Sequence, residues 1–231
     1  MGGINVKNTI IERLLQNVAP HLCFGCGKTG SVLCDYCKYD ISNESFVGCI
    51  LCGKPYLDGI CKNHDSLIQK AYVITTRTGV TKALIDGLKF DYMKAAAQSA
   101  AELLNECLPL LPENTIIVPI PTVRSHVRQR GYDQVDLIAK HFAHLRGLSV
   151  FNLLERTGTA TQHTLNRSDR LKEAKHAFSV KAKIPLVKPD TPLLIIDDII
   201  TTGSTVTEAA QALKHLSNTI WVTAIAYQPL D

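Results

Sequence analysis

The stretch of sequence that decides the fold is residues 193–205, LLIIDDIITTGST. Its four leading aliphatic residues predict a buried strand, and two carboxylates, Asp197 and Asp198, follow at the carboxyl end. A loop of Thr, Gly and Ser residues comes next, and Thr205 with Glu208 has the spacing of a capping box at a helix start. Open α/β sheets bind ligands where such strands end, so this segment is a candidate site.

The chemistry of this segment suits a phosphorylated sugar. Hydroxyl and N–H groups at the start of a helix attract an anion, and the helix dipole adds to that attraction. Adjacent carboxylates can accept hydrogen bonds from the neighbouring hydroxyls of a ribose beside a bound cation. Acidic pairs at strand ends are common, so an ordinary strand–helix turn is the alternative. The combination with a Thr-Thr-Gly-Ser-Thr loop favours the ligand site.

Strand and helix patterns alternate on both sides of this segment. Apolar runs predict the strands, and apolar residues spaced by three or four positions predict the helices. Together they indicate an α/β domain with a mainly parallel central sheet. Besides PLLIIDD, the predicted strands are 71–77, 115–121, LSVFNLLE (148–155) and TIWVTAIAY (219–227), and the predicted helices are 80–88, 94–107, 134–145 and 205–216.

The composition is that of a folded globular protein of 231 residues, with 45% hydrophobic and 20% charged residues. No apolar run approaches the roughly 18 residues of a membrane helix, so we expect no membrane insertion and a cytoplasmic location. The net charge of +4 is mild, and residues 1–69 hold six basic and six acidic side chains. The excess positive charge therefore lies beyond residue 69, where it permits a polyanionic partner without requiring one.

Seven of the eight cysteines lie between Cys23 and Cys61, in knuckles whose two ligands are separated by two residues. Two such knuckles complete a tetrahedral zinc site, and sites with all four ligands filled indicate structural rather than catalytic zinc. Disulfides and a redox-active pair are the alternatives, but the expected reducing compartment and the repetition of the motif disfavour them. The eight predicted ligands are Cys23, Cys26, Cys34, Cys37, Cys49, Cys52, Cys61 and His64.

The cysteine-rich region is predicted to be a small domain of its own. Residues 1–69 contain few aromatic side chains, so two zinc ions would supply much of their folding energy. Pairing of the first knuckle with the second, and of the third with the fourth, is favoured over an interleaved arrangement, which stays open. We expect a double zinc ribbon at 1–69 and the α/β domain at 70–231.

Several motifs together resemble those of one bacterial family. In chain order they are the zinc knuckles, LIDGLKF (84–90), VPIPTVRSHVRQRGYDQVDLIA (118–139), TATQHTLNRSDRLKEAKHAF (159–178) and the 193–205 segment. This order resembles the ComF family of competence and GntX proteins over nearly the whole chain. The resemblance implies a type I phosphoribosyltransferase-like fold, a site for phosphoribosyl pyrophosphate (PRPP) with Mg²⁺, and a role in natural transformation and DNA uptake.

The resemblance also assigns roles to individual residues. Asp197 and Asp198 would hold the ribose hydroxyls, and the 5′-phosphate would bind to Thr201, Thr202, Gly203, Ser204 and Thr205. Guanidinium groups suit phosphate oxygens, so basic residues near the VPIP strand are candidates for the pyrophosphate side. These candidates are Arg124, Arg128, Arg130 and, more weakly, Lys89. Each of the four could instead be a surface cation.

The segment 157–175 would be a mobile flap over the substrate, or alternatively an ordinary polar loop. Here the chain departs from the family's usual pattern. Glu155 and Thr157 stand where arginines are usual, with Arg156 out of step between them. Asp133 stands where asparagine is usual. These departures remove positive charge and add negative charge, which weakens the expectation of tight anion binding by the flap.

Two classes of function follow. As an enzyme, the protein would displace pyrophosphate from C1 of PRPP, with Mg²⁺ stabilising the leaving group. The acidic general base that a purine transferase commonly carries three positions after the second carboxylate is absent, because Thr201 stands there. As a non-catalytic module, the protein would handle single-stranded DNA or bind a competence helicase. The neutral charge of residues 1–69 argues against DNA binding through the ribbon.

Overall fold

A computed structural model of the chain describes residues 20–50, 66–157 and 177–228. Six strands form one sheet in the order β1-β2-β8-β7-β3-β4, and β5 pairs with β6 in a separate sheet. The strands are β1 (Phe46–Val47), β2 (Lys70–Thr76), β3 (Ile116–Pro119), β4 (Ser149–Val150), β5 (Leu154–Arg156), β6 (Phe178–Val180), β7 (Leu193–Ile200) and β8 (Ile220–Tyr227). The helices are α1 (Asp35–Ser42), α2 (Gly79–Lys89), α3 (Ala95–Cys107), α4 (Arg124–Arg130), α5 (Gln134–Arg146) and α6 (Ser204–Leu213).

The larger sheet is mainly parallel. Strands β2, β8, β7, β3 and β4 are paired in parallel, and only the edge strand β1 runs antiparallel to its neighbour within the described ranges. Helices cover both faces of a parallel sheet, which explains why β7 opens with four consecutive buried aliphatic residues. The predicted α/β class is confirmed. None of the helices in the part of the chain described is long and apolar enough to cross a membrane.

Strand β7 divides its side chains between two hydrophobic cores. Leu194 and Ile196 belong to the core that also contains buried residues of α2, α3 and α5. Leu193 and Ile195 belong to the second core, which contains buried residues of α6. Successive side chains of a strand point to opposite faces, so this alternation continues into the two carboxylates that follow.

The region around LSVFNLLE differs from the single strand predicted there. It contains two short strands, β4 and β5, which belong to different sheets. Asn152 and its neighbours interrupt the pairing, and β5 then turns to pair antiparallel with β6. A continuous apolar run cannot reveal such a change of partner, because the side-chain pattern is the same in either sheet.

The described N-terminal residues pack directly on the larger sheet. Strand β1 extends the sheet at β2, and α1 contacts α3 and β2. Cys23, Leu33 and Ile41 are buried in the same core as α2 and α3. The division of the chain at residue 69 stays a prediction, and the described residues on its two sides share a core.

Candidate functional site

Asp198 lies at the centre of a buried polar cluster at the carboxyl end of β7. Its side chain is 7% exposed and forms an ion pair with Lys89, with Nζ 3.0 Å from the carboxylate oxygens. The Nε2 amide of Gln134 also donates to Asp198, over 3.1 Å. Lys89 ends α2 and Gln134 begins α5, so both come from the face of the sheet toward which Asp198 points. A buried carboxylate needs such partners, and these two satisfy it.

The neighbouring Asp197 is in a different environment. It accepts a hydrogen bond of 2.8 Å from the backbone N–H of Asp198. Burial, followed by the nearby Asp198 carboxylate, raises the pKa of Asp197 to about 8, and the charges of Lys89 and Arg156 act in the opposite direction. A carboxyl with this pKa is ready to ionise fully when a cation or a positively charged group joins the site.

Both carboxylates line a cavity of about 510 Å³. The cavity lies where β3 and β7 end, which is the ligand-binding edge of an open α/β sheet. Its lining includes Lys89, Phe90, Tyr92, His126, Gln129, Arg130, Gln134, Arg156, Asp197, Asp198 and Thr205.

Of the three arginines predicted for the pyrophosphate side, the structure brings one to the cavity. Arg130 donates through Nη1 to Oε1 of Gln134, over 2.8 Å, and thereby joins the cluster around Asp198. Arg124 and Arg128 are exposed on the same short helix and are not among the cavity's lining residues in the described ranges. Lys89, the weaker candidate, is instead a direct partner of Asp198.

Arg156 lines the cavity from β5, although its position looked out of step in the sequence. Its Nε donates to the carbonyl oxygen of Pro121, over 2.7 Å, and its guanidinium lies 4.9 Å from the ring centre of Phe178. The guanidinium therefore supplies positive charge on the side of the strand where Asp197 lies. Although Glu155 and Thr157 stand where arginines are usual in the family, Arg156 still brings one guanidinium from this segment to the cavity.

Asp133 orders the loop that follows β3. Its carboxylate caps α5 by accepting from the N–H groups of Val135 and Asp136, and it also accepts from the N–H and hydroxyl of Thr122. An acidic residue is favourable as the N-cap of a helix. Tyr132, the preceding residue, donates its hydroxyl to the carbonyl of Leu88 over 2.6 Å and thus ties this loop to the end of α2.

The loop after β7 begins its helix differently from the prediction. Gly203 is the N-cap of α6 with a φ of 77°, and no side chain caps the helix. Thr205 lies inside the first turn, and Glu208 accepts from the N–H of Ala177 instead of the helix start. The predicted capping box is therefore wrong. The Thr202 and Ser204 hydroxyls lie 2.9 Å apart on the exposed side of the loop.

Four cysteines near the N-terminus form a second candidate site. The sulfur atoms of Cys23, Cys26, Cys34 and Cys37 all lie within 4.8 Å of one another. The first and second knuckles thus come together, as sequential pairing predicts. Four thiolates at this spacing could bind a zinc ion. Of the other predicted ligands, Cys49 is buried, and Cys52, Cys61 and His64 lie outside the described residues.

The thiols of this cluster are in unequal electrostatic environments. Although burial acts to raise it, N–H donors from Cys26, Cys34 and Gly25 lower the pKa of Cys23 to about 6. Burial and hydrogen bonds with the neighbouring thiols raise the pKa of Cys37 to about 12. Crowded thiols of this kind are compatible with a positive ion among them, since metal binding deprotonates cysteine.

Sequence reasoning missed Gln134, Phe90 and Tyr92 as residues of the cavity. Gln134 appeared only as part of a family motif, without a chemical role. Phe90 and Tyr92 follow α2 and are 62% and 50% exposed at the cavity. The signal was present, because LKFDY places two aromatic residues in a polar stretch after a helix.

No family model matches the chain. DNA utilization protein YhgH of Escherichia coli strain K12 is 30% identical over 217 residues, covering 84% of this chain and 91% of that protein. The chain belongs to the ComF family. Another relative is competence protein F of Haemophilus influenzae, 29% identical over 202 residues and covering 80% of this ComF chain and 85% of that protein. Among solved structures, adenine phosphoribosyltransferase from Leishmania donovani covers 82% of this chain and 79% of its own, with 11% identity and a TM-score of 0.31.

Proposed function

We propose that this ComF-family protein binds PRPP or a related ribose phosphate together with Mg²⁺, and that it does so in the service of DNA uptake. The observation that carries the proposal is the cavity at the carboxyl end of β7. Two carboxylates, a lysine and two arginines surround it, beside a loop rich in hydroxyl groups. The names of the relatives, which refer to competence and DNA utilization, support the cellular role.

The charge distribution supports this choice of ligand. Asp197 and Asp198 provide acceptors for ribose hydroxyls, and oxygen ligands of this kind suit Mg²⁺ shared with phosphates. Arg130, from α4, and Arg156, from β5, supply positive charge to the same cavity. The hydroxyl groups of the 201–205 loop and the start of α6 are proposed to hold the 5′-phosphate.

The proposal covers binding, and any transfer reaction needs further groups. Displacement of pyrophosphate from C1 would break the C1–O bond to pyrophosphate and form a bond to an acceptor. Mg²⁺, when bound, would neutralise the departing pyrophosphate. Thr201 stands where a purine transferase commonly has its acidic base, so a purine base is a poor choice of acceptor.

We also propose two structural zinc ions and a cytoplasmic location. The first ion would be held by the four clustered thiolates, and the second by Cys49, Cys52, Cys61 and His64. Four clustered cysteine thiols that could bind a metal ion suit a reducing compartment. A competence helicase as partner stays a prediction.

A second candidate function, handling of single-stranded DNA, is supported by one feature of the cavity mouth. Exposed Phe90 and Tyr92 lie near the arginine-bearing helix α4, and the guanidinium of Arg130 is 6.0 Å from the ring centre of Phe90. Aromatic side chains beside a basic surface can stack bases while cations hold the backbone. Binding of this kind weakens steeply with salt. A salt series with single-stranded DNA, comparing the parent with Phe90→Ala/Tyr92→Ala, would identify it.

Calorimetry with PRPP and Mg²⁺ tests the main proposal. The parent is expected to bind at roughly micromolar concentrations, and Asp197→Ala/Asp198→Ala is expected to abolish binding. Asp190→Ala is the matched control, because Asp190 is an exposed carboxylate near the opposite end of β7. Absence of binding by folded, zinc-loaded parent would overturn the proposal and favour a nucleic-acid or protein-binding module.

A further inference from the structure

The described residues 20–50 are called the N-terminal cysteine segment below. Two residues of this segment contact elements that line the cavity. The first is Phe24, which lies between the metal-site residues Cys23 and Cys26. A methyl group built on Gly87 would lie 2.8 Å from Cζ of Phe24, so the ring occupies the space that a side chain at position 87 would fill. Gly87 is in the last turn of α2, two residues before Lys89.

The second residue is Ile50, which lies next to Cys49 and is 5% exposed. Its carbonyl oxygen would be 3.0 Å from a methyl group built on Gly203, the N-cap of α6. Ile50 is also part of the core that contains Ile200 and Val206, which flank the loop on its two sides. The backbone of the N-terminal segment is therefore packed against the loop proposed to hold the phosphate.

We infer that Phe24 and Ile50 are positioning residues that brace the ligand cavity from the N-terminal cysteine segment. Phe24 sets the end of α2, and with it the Lys89 ammonium that pairs with Asp198. Ile50 sets the loop at Gly203. In its ligand-binding consequence the inference rests on the proposed function. The contacts themselves are independent of it.

Coupling between the two parts of the chain follows from this arrangement. An ion held by Cys23, Cys26, Cys34 and Cys37 would fix the knuckle that carries Phe24. A ligand that requires the end of α2 in its observed position would then bind more tightly to the metal-loaded protein. By linkage, the same ligand would retain the metal more tightly.

Hydrogen exchange without ligand tests the positioning role of Phe24 and Ile50 independently of the proposed function. Phe24→Ala is expected to accelerate exchange of the Met93 amide, whose N–H donates to the Gly87 carbonyl. Ile50→Ala is expected to accelerate exchange of the Thr207 amide, whose N–H donates to the Gly203 carbonyl. Ile41→Ala is the control, because Ile41 is a buried residue of α1, which packs on α3 and β2. Ile50→Val provides a milder variant if Ile50→Ala folds poorly. Equal exchange of these two amides in all the variants would overturn the inference.

A double-mutant cycle tests the Phe24–Gly87 contact directly. Alanine in place of glycine ordinarily favours a helix. Gly87→Ala is nevertheless expected to accelerate Met93 exchange in the parent, because the new methyl group meets the Phe24 ring. The same change in the Phe24→Ala background is expected to slow Met93 exchange. An identical effect in both backgrounds would contradict the contact.

Ligand affinity is the remaining readout. PRPP with Mg²⁺ is expected to bind roughly five- to tenfold more weakly to Phe24→Ala and Ile50→Ala than to the parent, and equally well to Ile41→Ala. Equal weakening in all three variants would indicate general destabilisation and contradict the positioning role. If the parent itself does not bind PRPP, the proposed function fails. The exchange experiments still test whether Phe24 and Ile50 hold the end of α2 and the loop at Gly203 in place.

Discussion

Asp197 and Asp198 are adjacent in sequence but have different partners, because neighbouring side chains of a strand point to opposite faces. Asp198 faces Lys89 and Gln134, whose donors hold it as a buried carboxylate. The raised pKa of Asp197, about 8, reflects burial and the charge of its neighbour. The two residues are therefore expected to respond differently to substitution and to pH.

The raised pKa of Asp197 predicts a pH-dependent cost to stability. Between its usual 3.8 and about 8, this group is protonated in the folded chain and ionised in the unfolded chain, so its contribution to stability is lost as the pH rises. Asp197→Asn cannot ionise. Its free energy of unfolding is expected to increase relative to that of the parent by roughly 3 kcal/mol between pH 5 and pH 7. Urea unfolding of both proteins at several pH values measures this difference. If the two free energies of unfolding changed with pH in parallel, the pKa of Asp197 would not be raised and the prediction would be wrong.

The Lys89–Asp198 pair predicts a large effect of removing the lysine. Lys89→Met leaves a buried carboxylate without its cation and is expected to lower the free energy of unfolding by roughly 3 kcal/mol. Lys89→Met/Asp198→Asn is expected to recover most of that loss. Lys82→Met is the control, because Lys82 is 58% exposed and its pair with Asp86 is expected to contribute less than about 0.5 kcal/mol. A similar loss from both lysine substitutions in urea unfolding would contradict the assignment.

At the scale of elements, the sequence predicted the helix α6 but not the way in which this helix is capped. Thr205 and Glu208 fit a capping box, yet the helix begins one residue earlier at Ser204, after Gly203 adopts a left-handed conformation. Glu208 instead holds Ala177, which is 31 residues away in sequence. A local motif cannot reveal a competing partner brought in by the tertiary fold.

This reassignment predicts the effects of two substitutions. Thr205→Ala is expected to change stability by less than about 0.5 kcal/mol, because no side chain caps this helix. Glu208→Ala is expected to cost about 1–2 kcal/mol and to expose the Ala177 amide to exchange. Chemical unfolding with hydrogen exchange measures both. A large loss of stability in Thr205→Ala, together with an Ala177 amide that stays protected from exchange in Glu208→Ala, would contradict this assignment and favour the capping box.

The central strands and long helices could be predicted because their signals are local. The segments 71–77, 115–121 and 219–227 form β2, β3 and β8 within a few residues, since buried parallel strands are continuous apolar runs. The partners of β1 and β5 could not be predicted, because two or three residues carry no pairing information. Arg156 was placed at the cavity by the pairing of β5 with β6, which the sequence pattern did not show.

At the scale of the whole molecule, the cysteine segment shares a core with the α/β sheet. Zinc analysis of the purified protein is expected to find two ions per chain. Cys37→Ser and Cys52→Ser are each expected to remove one, while Cys107→Ser, in the last turn of α3, is expected to retain both. Loss of zinc from Cys107→Ser, or one ion in the parent, would contradict the ligand assignment.

The shared core further predicts that metal removal affects the whole chain. Chelation is expected to lower the melting temperature of the entire protein by several degrees, since Cys23 and Cys37 are buried with residues of α2 and α3. The change should be equally visible in the fluorescence of Trp221, in β8. Unchanged melting of the β8 signal after chelation would indicate that the two regions unfold independently.

The most direct test of the account is a crystal structure of the protein with PRPP and Mn²⁺ in place of Mg²⁺. The anomalous signal of Mn²⁺ is predicted beside Asp197 and Asp198, with the 5′-phosphate on residues 201–205 and the pyrophosphate toward Arg130 and Arg156. A complex with the ligand elsewhere on the molecule, or with no metal near the two carboxylates, would contradict the proposed site.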